Sequence, residues 1–232
     1  MGFGAPWRHF AVTDSTNARA RGLAEAGAPH GTVVTATEQT AGRGRQGRTW
    51  TAPPGKALLY SAIVRPLGER HALLPLAAPL AVCETAEALA PGTACRVKWP
   101  NDVWVEGRKL AGVLIEGRPQ DGWGIVGVGL NLAIPPEEFP PELRDTATSL
   151  DHGEPRAAAE LLSRRLEEWV AADPRSVLFA WRERDALRGR EVSWDGGSGV
   201  ADGVDDRGYL VVVAPGGDRV AVGAGEVHLT VA

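Results

Sequence analysis

Residues 31–65 read GTVVTATEQ, then TAGRGRQGRTWTAPPGK, then ALLYSAIVR. The outer pieces, 31–39 and 57–65, are rich in β-branched and aliphatic residues and read as two buried strands. The middle piece, 40–56, carries glycines, two prolines and three arginines with no apolar period. It reads as a long loop, and loops of that length inside a compact domain are often functional. Within it, glycines let the backbone approach a ligand and aim N–H groups into a concavity. Arg43, Arg45 and Arg48 add forked, permanently charged donors suited to phosphate or carboxylate. Their mutual repulsion predicts a loop that is mobile when empty and ordered by an anion. A flexible basic surface loop or an RNA contact would have the same composition. The spacing is not that of a phosphate-binding loop ending in GK[ST].

Outward from this loop, residues 13–27 open with cap-forming polar residues and close on Gly27, which predicts a helix. Residues 72–90 are apolar and alanine-rich, predicting a buried helix broken or delayed by Pro75 and Pro79. Strands are expected at 95–98, 102–105, 109–117 and 122–132. The last alternates glycine with β-branched residues, which suits close backbone approach on one face. Residues 135–150 form a proline-rich loop. Helical spacing of Leu161, Leu162, Leu166, Trp169 and Val170 predicts a helix over 155–171, and another follows over 174–187. After Arg188 the texture changes to five short strands with Gly/Asp turns, which suggests a small barrel. The reading is an α+β fold, a mixed sheet flanked by helices over 1–187, followed by the small barrel over 188–232.

The 232 residues fit one large domain or a medium and a small one. No run approaches the ~18–20 apolar residues of a membrane span. The N-terminus lacks a basic and apolar leader, so a cytoplasmic location is the expectation. The net charge of -4 argues against a protein that coats nucleic acid. Cys83 and Cys95 read as buried free thiols, and the five histidines lack metal-ligand spacing. Only three of the 25 basic residues are lysines, Lys56, Lys98 and Lys109.

In KWPNDVWVEGRKLAGVLIE (98–116), Lys98 and Lys109 bracket a restricted WPND turn, and the segment reads as a strand, a turn and a hairpin whose register the sequence leaves open. Lys109 could equally be a solvated hairpin cation, and Trp99 and Trp104 core residues. The polar run DSTN (14–17) can cap a helix or bind a polar ligand at its start. GVGLN (127–131) can lay a planar ligand on a glycine strand or simply pack tightly.

In this order, DSTN, EQTAGRGRQGRTW (38–50), KWPND (98–102), RKLAG (108–112) and GVGLNL (127–132) make the chain resemble the biotin–protein ligase family over about residues 8–175. The resemblance implies a class II synthetase-like catalytic domain and a C-terminal SH3-like barrel. It implies ATP-dependent activation of biotin to biotinyl-5′-AMP, with Mg²⁺, and transfer to a lysine of a biotin carboxyl carrier protein. Carried over by motif, Arg45, Lys98 and Lys109 would be catalytic. Ser15, Thr16, Asn17, Gln39, Arg43, Gly44, Arg45, Lys109 and Gly112 would bind biotin. Arg43, Arg45, Arg48, Trp50, Lys98, Asn101, Asp102 and Asn131 would bind the nucleotide. The motif at residue 14 leaves no room for the DNA-binding domain of some relatives, so no nucleic-acid or membrane partner is expected. A homodimer through strands 109–117 and 122–132 is possible. The rivals are a lipoate–protein ligase and an RNA-binding module.

Overall fold

The computed structural model describes residues 2–223 and 227–229. A seven-stranded sheet holds β1 (Trp7–Thr13), β2 (Val33–Gln39), β3 (Ala57–Val64), β4 (Cys95–Lys98), β5 (Asp102–Val105), β6 (Arg108–Arg118) and β7 (Trp123–Asn131). Its spatial order is β1-β2-β3-β7-β6-β5-β4. Only the β1–β2 pair is parallel, so the sheet is mixed, as expected.

Strand β3 is buried along its whole length because both faces are covered. Side chains alternate between faces. Leu58, Tyr60, Ala62 and Val64 join the main core with α2 (Leu74–Leu89) and α3 (Pro155–Ala171). Ile63 packs on the other face with Ala20 and Ala24 of α1 (Thr16–Glu25). Ser61 shares that second face, and the functional cavity opens there.

Pro75 lies in the first turn of α2, where no backbone donor is required. Pro79 lies inside the helix, which continues through it rather than breaking. A fully apolar environment holds the helix despite the missing hydrogen bond: Leu76, Ala78, Leu80 and Val82 are all buried. The expected helix over 174–187 is shorter, α4 at Pro174–Glu183, capped at its start by Asp173. Beyond it Ala186 donates to the Val97 carbonyl, so the chain leaves the helix to pair beside β4.

Strands β8 (Glu191–Trp194), β9 (Gly197–Val204), β10 (Leu210–Val213), β11 (Arg219–Val222) and β12 (His228–Leu229) form a second, antiparallel sheet. Of the predicted run 226–231, residues 226, 230 and 231 lie outside the described residues. The Trp99 indole N–H donates to the Gly208 carbonyl at 3.1 Å, joining the two sheets. Cys83 and Cys95 are free and buried, and burial pushes the Cys83 thiol up. Among the described residues no helix is long and apolar enough to cross a membrane. Strands β6 and β7 are interior to the sheet, and its terminal strands are β1 and β4.

Candidate active site

Strand alternation collects the site. Ser61 pairs with Gly127, Gly129 with Gly112, Gly112 with Asp102, and Asp102 with Lys98. Paired positions share a face, so these residues from five strands look the same way. A bulge between Val103 and Trp104 shifts the register and pairs Trp104 with Lys109. Bulges re-aim side chains, and here the Lys109 Nζ lies 2.7 Å from the Asp102 Oδ1. Backbone bonds from Lys109 N to the Thr146 carbonyl (2.7 Å) and from Thr148 N to the Lys109 carbonyl (2.9 Å) hold that lysine in place.

The resulting cavity, of about 160 Å³, lies against the start of α1 and beneath the 42–48 loop. One end is polar and uncharged. Ser15 stands at the N-cap of α1, yet its side chain caps nothing. The Gln39 Oε1 instead accepts from the Thr16 amide at 2.7 Å, leaving the Ser15 hydroxyl unused as a cap. The Ser61 Oγ lies 2.6 Å from the Asn17 Oδ1 and 2.8 Å from the Thr16 Oγ1. The other end is cationic, with Arg43, Arg45, Arg48, Lys98 and Lys109 on the lining. Asp102 is the sole carboxylate among the described lining residues.

The loop is a small hairpin. Gly44 N donates to the Arg48 carbonyl, Trp50 N to the Gly42 carbonyl, and Arg43 bridges Thr49. A Cβ on Gly42 would stand 2.3 Å from the Trp50 carbonyl oxygen, so the chain closes there only with glycine. The Trp50 ring lies on the glycine strand, and a Cβ on Gly129 would meet it at 2.3 Å. Its indole N–H is buried and has no partner among the described residues.

Burial pushes the Lys98 ammonium below its ordinary range. Asp102 opposes that shift, and Lys109 and Arg48 reinforce it. Burial also lowers Arg45, again against the pull of Asp102 and with a push from Arg48. Arginine stays charged regardless. Excess positive charge at one end of a half-buried cavity favours an anionic ligand.

All but one of the residues singled out from the motifs line this cavity: Ser15, Thr16, Asn17, Gln39, Arg43, Gly44, Arg45, Arg48, Trp50, Lys98, Asn101, Asp102, Lys109 and Gly112. Asn131 is not among them. It is buried, and its side-chain amide donates to the Thr148 carbonyl at 2.9 Å. It therefore braces the segment that pins Lys109. The sequence reading missed Tyr60, Leu114 and, from the second sheet, Val227 and His228. No sequence signal ties residue 228 to a loop 180 positions earlier. Trp99, read as a core residue, is buried and borders the cavity too.

The cavity, neutral at one end and cationic at the other, suits a ligand with a polar ring and an anionic tail. Residues 9–131 match the biotin/lipoate A/B protein ligase family, and the chain belongs to it. It is 38% identical to the biotin–[acetyl-CoA-carboxylase] ligase of Mycobacterium tuberculosis, over 99% of this chain and 92% of that protein. It is 36% identical to the ligase of the same name from Paracoccus denitrificans, over 90% of this chain and 95% of the relative. The biotin protein ligase of Aquifex aeolicus in complex with biotin and ATP superposes with a TM-score of 0.80 at 28% identity, covering 97% of this chain and 98% of the other.

Proposed function

We propose that the protein is a biotin–protein ligase, using ATP to activate biotin as biotinyl-5′-AMP and passing the biotinyl group to a lysine of a biotin carboxyl carrier protein. The observation that carries this reading is the two-ended cavity. Its neutral, hydrogen-bonding end runs continuously into a cluster of five cations. A ureido ring joined to a carboxylate has that same polarity.

In the first step a biotin carboxylate oxygen attacks the ATP α-phosphorus. The bond to the bridging oxygen breaks and pyrophosphate leaves. Both reactants are anions, so catalysis here is charge stabilisation and positioning. Arg43, Arg45 and Arg48 offset the phosphate charge. Lys98 faces the reacting carboxylate and α-phosphate. Lys109, steadied by Asp102, holds the carboxylate and then the acyl-phosphate oxygen. Ser15, Thr16, Asn17 and Gln39 hold the ureido ring, whose unmet donors and acceptors would penalise a wrong ligand. Trp50 flanks the adenine, with Asn101 and Asp102 toward the phosphates. In the second step the carrier amine attacks the acyl carbon, expels AMP and releases its proton. The 42–48 hairpin covers the adenylate and keeps water away between the steps.

No group of three or more His, Cys, Asp or Glu side chains able to hold a metal is present among the described residues. Mg²⁺, which needs only one or two protein carboxylates, would arrive on the triphosphate, and Asp102, the sole carboxylate among the described lining residues, would face it. When bound, the ion supplies charge neutralisation on the phosphates. We further infer that the second sheet is a separate SH3-like domain beginning near residue 188. On this reading the larger domain is of class II synthetase type, and the protein works in the cytoplasm.

Transfer is tested with purified chain, ATP, Mg²⁺, biotin and a biotin carboxyl carrier domain. The carrier is expected to gain one biotin by mass, and none when its acceptor lysine is replaced by arginine. A carrier that stays unmodified would contradict the second step. Lys98 adds a pH signature. Its depressed pKa means that rising pH discharges it before the ordinary lysine range is reached, so the adenylation rate should fall on that limb. Lys98→Arg keeps its charge and should move the fall to higher pH. Superimposable alkaline limbs would remove Lys98 from the charge-stabilising set.

A further inference from the structure

Glu116 lies at the far end of the site face of β6, two residues past Leu114, which itself follows Gly112 by two. It ends the 98–116 segment without a role assigned from the sequence, and it does not line the main cavity. Its carboxylate nevertheless touches three side chains, two of them in α1 and one in the 42–48 loop. The Glu116 Oε2 accepts from the Asn17 Nδ2 at 2.8 Å. The Oε1 takes an ion pair from Arg21 of α1 and lies 4.0 Å from an Arg43 Nη1 in the loop.

Asn17 is the side chain with most to lose. An amide has a donor end and an acceptor end of nearly the same shape, so only its partners decide which way it points. The Ser61 hydroxyl donates to the Asn17 Oδ1 at 2.6 Å, but a hydroxyl can also accept, so Ser61 alone does not choose the orientation. An ionised carboxylate only accepts, so Glu116 selects the Nδ2 end. Flipping the amide would set a carbonyl against a carboxylate. Asn17 is also pressed onto Gly127, where a Cβ would stand 2.1 Å from its Oδ1. The amide thus has one orientation, and Glu116 is the partner that sets it.

We propose that Glu116 is a positioning residue that orients the Asn17 amide for the ring of the substrate, and so sets affinity for biotin rather than the rate of the chemical step. This rests on the ligase reading above. The Arg43 contact extends the same carboxylate to the loop, so that the ring end and the anion end share one support.

The test is a double-mutant cycle of Glu116→Ala and Asn17→Ala in biotin-dependent ATP–pyrophosphate exchange, with KM for biotin and kcat measured separately. Glu116→Ala alone should raise the biotin KM about tenfold or more, the scale of a hydrogen bond to a charged group, with kcat changed far less. In the Asn17→Ala background the same change should add little. Glu116→Gln keeps an acceptor for the amide and should restore most of the affinity. If Glu116→Ala does not fold, Glu116→Met keeps the bulk without the acceptor and takes its place in the cycle. A full effect that persists without Asn17, or an unchanged biotin KM, overturns the proposal. An inactive wild type would instead overturn the ligase reading.

Discussion

Arg45→Ala should lower biotin-dependent pyrophosphate exchange by about a hundredfold to a thousandfold, the range for removing one charge-stabilising donor from a transition state. Arg45 lines the cavity partly buried, with an Nη1 3.4 Å from the Asn101 Oδ1 and Asp102 close enough to oppose its loss of charge. Its guanidinium works in a site of reduced dielectric, where charge counts for more than on an open surface. Because the carboxylate and the triphosphate repel each other most at the transition state, kcat should carry most of the loss. Arg45→Lys should recover only part of it, because one ammonium cannot replace a planar fork. Exchange within threefold of wild type in Arg45→Ala would remove this arginine from the mechanism.

The second large effect should come from one methyl group. Gly127→Ala places a Cβ 2.1 Å from the Asn17 Oδ1 and 2.8 Å from its Cγ. Gly127 lies within a strand, so alanine suits the backbone, and the conflict is with the side chain alone. Asn17 must leave its slot and lose both the Ser61 and Glu116 bonds. Biotin affinity should fall about a hundredfold, as expected when two hydrogen bonds to a recognition group are lost. Stability should fall by about 1–3 kcal/mol from overpacking. Gly22→Ala is the control. It is exposed on the outer side of α1, with nothing within 4 Å of a new Cβ. It should leave activity alone and stabilise the helix by about 1 kcal/mol. Titration calorimetry with biotin and thermal unfolding of both variants separate the effects. Wild-type biotin affinity in Gly127→Ala would contradict the described placement of Asn17.

Much of this was legible because local chemistry and tertiary need coincide. The β-branched runs at 31–39 and 57–65 read as buried strands, and the glycine–arginine stretch between them became an anion site only in company with the motifs that follow it. The WPND run announced a restricted turn, and the glycines of β7 announced close approach, before any register was known. Other features depend on register, which the sequence left open. Glu116 is one acid at the end of VLIE until alternation sets it on the face of Gly112. Ser61 is one hydroxyl in an apolar strand until it meets Asn17. Strand β1 was missed because an edge strand, exposed at Arg8, His9, Ala11 and Val12, shows no clean apolar alternation. Asn131 stood in a motif with a hydrogen-bonding side chain, but the segment at Thr148 claims it.

The central claim is that one cavity joins a biotin carboxylate to ATP. It is tested most directly by ATP–pyrophosphate exchange with the purified wild-type chain, run with biotin, with lipoate and with no acid. Rapid exchange with biotin, and background exchange in the other two, is the predicted result. Exchange driven by lipoate but not biotin, or none with either acid, would contradict it.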